Sequence, residues 1–146
     1  MNYFEQITFR IQTGWERTKK TGDEFYLDGV ALNLHSFYTA LEKVFEIIAV
    51  NIDQTIPKGE SWHQELLRQM ASEIEFVRPP VILKDMRNML DEYRGFRHVV
   101  RNVYCFNLSQ TKMAPLVERL PNTFNNIKKE INEFLFFLEI RGKGNN

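Results

Sequence analysis

A chain of 146 residues has the length of one domain with a full hydrophobic core. Hydrophobic residues at 43% and charged ones at 26% are ordinary for a soluble globular protein, and twelve phenylalanines suit a well-packed core or a core plus a subunit interface. Nineteen basic residues balance nineteen acidic ones, which excludes global charge as a driver of binding to nucleic acid or membrane and leaves only a local patch.

Apolar residues recur at helical spacing nearly throughout. Phe4, Ile7, Ile11 and Trp15 predict a first amphipathic helix that frays at Thr18–Gly22. Asp23 is placed to cap a long second helix running to about Asp53, with Leu27, Leu34, Phe37, Leu41, Val44, Phe45 and Ile48 mostly on one face. Ile56-Pro57-Lys58-Gly59-Glu60 breaks the pattern. Ser61 then caps a third helix, whose apolar face runs from Trp62 through Leu66, Leu67 and Met70 to Ile74, and Arg78-Pro79-Pro80 ends it. A fourth helix starts at about Val81. Residues 106–110 read as a loop, Met113–Leu120 as a short helix, and Pro121-Asn122 as the opening of a last helix with Phe124, Ile127, Ile131, Phe134, Leu135 and Leu138 inward. The expected fold is all-α: one antiparallel bundle of about five to six helices over residues 1–140, with 141–146 as a disordered tail.

The lone Cys105 excludes an intrachain disulfide and fits a reducing compartment; it reads as a small buried residue rather than a thiol nucleophile. No apolar run reaches membrane-spanning length, and the N-terminus lacks the basic start and apolar core of a signal peptide, so a cytoplasmic setting without membrane contact is expected. There is no glycine-rich phosphate loop, His-Glu-x-x-His motif, cysteine pair of metal spacing or nucleophile elbow. His35 reads as a packing or interface residue, and His63 as one that hydrogen-bonds a neighbouring element. Glu73 and Glu75 read as a solvated face. These residues call for no metal and no cofactor.

The fourth helix is different. Residues 93–104 hold three arginines, a histidine, an asparagine and two tyrosines, and no acid. At 100° per residue, Arg87, Arg94, Arg97, His98 and Arg101 fall within an arc of about 100°. Tyr104 lies one position beyond it. Helix surfaces usually mix signs, and arginine binds phosphate oxygens bidentately and stacks on bases, so the stripe points to a phosphate-rich partner, a nucleic acid or a nucleotide. RNA carries its own nucleophile, the 2′-hydroxyl. A metal-free nuclease therefore has only to move two protons and stabilise the extra negative charge on phosphorus, which suits histidine and arginine.

At these residues the chain resembles the HEPN superfamily and, within it, the HepT-like toxins of HEPN/MNT toxin–antitoxin modules. The family motif is an arginine followed by a polar residue, then a histidine after four to six intervening residues, with a tyrosine two places beyond. Arg97, His98, Asn102 and Tyr104 match that spacing. Residues 28–32, 62–67 and 116–120 also look like segments of the same subfamily. The resemblance implies a HEPN bundle, a homodimer with both motifs facing one cleft, and metal-independent cleavage of transfer or messenger RNA in a type VII-like system. It implies as partner a minimal nucleotidyltransferase antitoxin that transfers AMP to Tyr104. Arg97, His98 and position 102 would be catalytic, with Arg87, Arg94 and Arg101 binding RNA.

One departure matters. Asn102 stands where the family has its catalytic histidine, and asparagine cannot accept a proton near neutral pH. Three readings stand: a degenerate homologue, an engineered inactive form, or His98 acting in its place. The alternative function is a non-catalytic HEPN module that binds RNA or a nucleotidyltransferase partner. A purely structural bundle is the third possibility, and it leaves the motif spacing unexplained.

Overall fold

Ile7, Ile11, Trp15 and Thr18 sit at three- and four-residue steps and become the buried line of α1 (Tyr3–Thr21). The Asn2 side chain caps this helix by accepting from the Glu5 amide at 2.9 Å. It ends at Gly22, whose left-handed φ of 71° lets its N–H return to the Thr18 carbonyl. The computed structural model describes residues 2–102 and 109–144, without the side chains of 97–102.

Asp23 accepts from the Phe25 amide at 2.9 Å and starts α2 (Phe25–Ile48), which a π-helical turn over Ala49–Asp53 prolongs. α1 and α2 form an antiparallel hairpin that leaves no room for a side chain at Gly14, where a Cβ would stand 2.9 Å from Val30 Cγ2. The remaining helices are α3 (Trp62–Met70), α4 (Lys84–Asn102) and α5 (Gln110–Gly144). Among the described residues there are five helices and no strand beyond an isolated Ile74–Arg78 bridge, so the all-α bundle is as expected. One core runs through it, with Phe37, Phe45, Leu66, Met70, Leu90 and Val117 fully enclosed.

Four local expectations are corrected. The third helix stops at Met70 rather than reaching Ile74, and α4 begins at Lys84 rather than Val81. The cause is Arg78. Its guanidinium is excluded from solvent beside the equally enclosed Asp53 carboxylate, with Nε–Oδ1 at 2.5 Å and Nη2–Oδ2 at 2.7 Å. It also donates to the carbonyls of Gln69, Ser72 and Pro79. These bonds supply partners for the backbone carbonyls of a non-helical connector.

The expected short helix at Met113–Leu120 and the last helix are one element, because Pro115 and Pro121 lie inside α5. Pro121 cannot donate to the Val117 carbonyl, a loss that would ordinarily break a helix. Gln12 Nε2 from α1 takes that place at 3.0 Å. Finally, residues 141–144 of the expected tail are helical, and the Arg141 guanidinium binds the Val77 and Phe76 carbonyls. Most of the expected 106–110 loop lies outside the described residues; Ser109 accepts from the Lys112 amide, and Gln110 opens α5.

Candidate RNA-facing site on α4

Met86, Leu90 and Tyr93 are the buried line of α4, and Phe96 packs against the same core. Tyr93 fixes the helix on two sides. Its ring lies 5.9 Å from Phe37 of α2, and its hydroxyl donates to the Leu116 carbonyl of α5 at 2.7 Å. Burial pushes its pKa up to about 12. At the start of α4, the Val81 and Ile82 amides donate to the Met70 carbonyl, which ties α4 to the end of α3. The register of α4 is thus set by a buried tyrosine, a pair of backbone bonds and the Arg78 cluster upstream.

Against that register the stripe divides. Position 97 stands four, seven and eleven residues after Tyr93, Leu90 and Met86, so it shares their register along the helix. Positions 87, 94 and 101 follow at seven-residue steps along the flank of that line. Arg87 and Arg94 are half-buried there. Positions 98 and 102 fall farther round, in line with Asp91, on successive turns. The arginine of the motif and the flanking arginines therefore occupy different lines of one helix end. Helix geometry places positions 97 and 102 on either side of the flanking arginines.

Arg94 is not a free cation. Its Nε donates to Asp91 at 2.7 Å, from one turn earlier and just outside the acid-free window. On α5, Arg119 reaches back to Glu92 of α4 at 3.0 Å. Arg97, His98, Arg101 and Asn102 lie in the last turns of α4. Tyr104 and Cys105 lie outside the described residues.

His63 of α3 bonds the buried Glu42 of α2 through Nδ1 at 2.7 Å, with the Trp62 ring 3.6 Å away and tilted by 31° to it. This is the contact to a neighbouring element expected for His63. Among the described residues no group of three or more His, Cys, Asp or Glu could hold a metal ion. None of the helices among them is long and apolar enough to cross a membrane.

A groove of about 500 Å³ opens on the other half of α4, against α5, lined by Met86, Met89, Asn122, Asn126, Glu130 and neighbours. Burial pushes the Glu130 carboxyl up, the Leu83 amide opposes that by donating at 2.6 Å, and Glu133 and Asp85 raise it further. The groove contains none of the expected site residues. Sequence reading missed Asp53 and Arg78, which fix the connector leading into α4, and Gln12, which supports α5 at Pro121. The only local signal for Arg78 was a lone arginine before two prolines.

A search of the curated proteins and a search of the solved structures each gave no match. A comparison with protein-family models matches residues 29–138 to the family described as HepT-like protein. That span runs from the first turns of α2 to late α5 and contains all of α4 with its motif. Three quarters of the chain is covered, and the chain belongs to the HepT-like protein family.

Proposed function

We propose that this chain is the toxin subunit of a HEPN/MNT-type toxin–antitoxin pair, built to cleave transfer or messenger RNA without a metal. The supporting observation is family membership over a span that includes the Arg97–Asn102 motif in the last turns of α4. The RNA 2′-hydroxyl attacks the adjacent phosphorus, Arg97 offsets the charge that builds there, and position 102 handles the proton. A homodimer sets two motifs in one cleft. With asparagine at 102 the proton transfer fails while the arginines still bind phosphate. The chain as it stands is then a weak or silent nuclease.

The nucleotidyltransferase partner uses ATP: the Tyr104 hydroxyl oxygen bonds the α-phosphorus, its proton leaves, and pyrophosphate departs. The added phosphate brings negative charge and bulk to the motif and repels RNA.

The test is Asn102→His, which should create or raise cleavage of transfer or messenger RNA. A folded Asn102→His protein without nuclease activity would sink the toxin reading. Asn102 also favours a second reading, the non-catalytic RNA-binding module. It predicts binding that weakens as salt rises, with Arg94 contributing less than Arg101 because Asp91 already holds it.

A further inference from the structure

We propose that the C-terminal half of α5 is a second self-association surface, at which two copies of this chain pair their α5 helices antiparallel. The argument rests on α5 alone and does not need the toxin reading.

Residues 134–140 read Phe-Leu-Phe-Phe-Leu-Glu-Ile, six apolar side chains in seven. A helix that is apolar all round is ordinarily buried on all sides. Here Phe134 is buried and Phe137 and Leu138 pack partly on the core, while Leu135, Phe136 and Ile140 remain 50%, 61% and 54% exposed.

The charges around the exposed side select the occupant. Lys129, Glu133, Phe136, Ile140 and Lys143 follow one another at steps of four, three, four and three residues, the seam of a coiled coil. No proline follows Pro121 in α5, so nothing interrupts that seam. A two-fold axis beside Leu138 sets Phe136 against Ile140 of the partner subunit and Glu133 against Lys143 of the partner subunit. Parallel pairing would instead set each of these charges against its own copy, so the antiparallel arrangement is preferred.

A shallow hollow lined by Lys129, Asn132, Glu133 and Phe136 lies on this side of the helix and can receive an aliphatic side chain. Leu83, 65% exposed, flanks the seam from the groove that Glu133 also lines. The present partner of Lys143 is Glu139 at 3.7 Å, an exposed pair that contributes little and can exchange. Ile140 and Lys143 lie beyond the family-matched residues.

This contact is separate from any shared motif cleft. Leu116, level with Tyr93 through their hydrogen bond, stands about 33 Å along α5 from Leu138. A two-fold axis at Leu138 therefore holds the two motifs far apart.

The experiment is sedimentation equilibrium of the full chain across micromolar concentrations, with circular dichroism as the check on folding. Phe136→Glu should halve the mass, whether the starting species is a dimer or a tetramer. Glu133→Lys or Lys143→Glu alone should weaken association by about tenfold in Kd, and the two together should restore it. A wild-type chain that stays monomeric overturns the proposal. So does a mass unchanged by Phe136→Glu, or a double charge reversal that fails to recover association.

Discussion

Arg78 is the residue whose loss should be felt most. Its side chain and that of Asp53 are both excluded from solvent, and the pair joins the end of the long α2 unit to the connector that leads into α4. Arg78→Met deletes both bonds to the carboxylate and three to backbone carbonyls. Among the described residues Asp53 then keeps only the Gln69 side-chain amide at 2.7 Å and becomes a buried, nearly unpaired charge. Breaking a buried pair from one side costs about 3–5 kcal/mol. Against a domain stability of about 5–15 kcal/mol, that is a large share.

Urea unfolding would measure it, with an unchanged slope showing that the transition remains comparable. The second arm is Arg78→Met with Asp53→Leu. That chain has no lone charge but still leaves the carbonyls of Gln69, Ser72 and Pro79 without their donor. Its loss should fall short of the sum of the single losses by about 2 kcal/mol. Arg78→Lys should land between, since an ammonium keeps the charge and cannot bond both carboxylate oxygens and the carbonyls at once. If the two single losses simply add, or if Arg78→Met costs under about 1 kcal/mol, the pair does not hold the connector as argued.

Two titration predictions accompany it. Tyr93, raised to about 12, should ionise after ordinary tyrosines in an ultraviolet pH titration. The unfolded chain loses that proton near pH 10. The stability Tyr93 contributes is therefore complete below pH 10 and declines as pH rises toward 12; Tyr93→Phe should remove that part of the alkaline decline. Glu130, also raised, follows the same sign at lower pH: its carboxylate is disfavoured in the fold, so stability falls as pH rises through its folded pKa. Glu130→Gln keeps an acceptor for the Leu83 amide and removes repulsion from Glu133 and Asp85, so it should raise the neutral-pH Tm and change little in acid.

Much of the bundle is written in apolar spacing. Ile7, Ile11 and Trp15 on α1, and Leu34, Phe37, Leu41 and Phe45 on α2, are the core that their periodicity implies. Local rules failed where a distant partner supplied what the local chain lacked. Pro121 reads as a helix start because its own segment offers no donor for Val117; the donor is Gln12, 105 residues away. The end of α3 is invisible in its own sequence because Arg78 and Asp53, 25 residues apart, decide it. The basic stripe was legible as composition. Its division into position 97, in register with Met86, Leu90 and Tyr93, and a flanking line through 87, 94 and 101 follows from the helix geometry of α4. The ion pair that ties up Arg94 comes from Asp91, just outside the acid-free window.

The measurement that tests the central claim most directly is RNA cleavage by the Asn102→His protein, followed on transfer RNA and messenger RNA in the presence of a metal chelator. Asn102→His should cut RNA well above the parent chain, and adding Arg97→Ala should abolish the gain while leaving the helical spectrum intact. A folded Asn102→His protein that cuts no RNA would contradict the account, as would cleavage indifferent to Arg97→Ala.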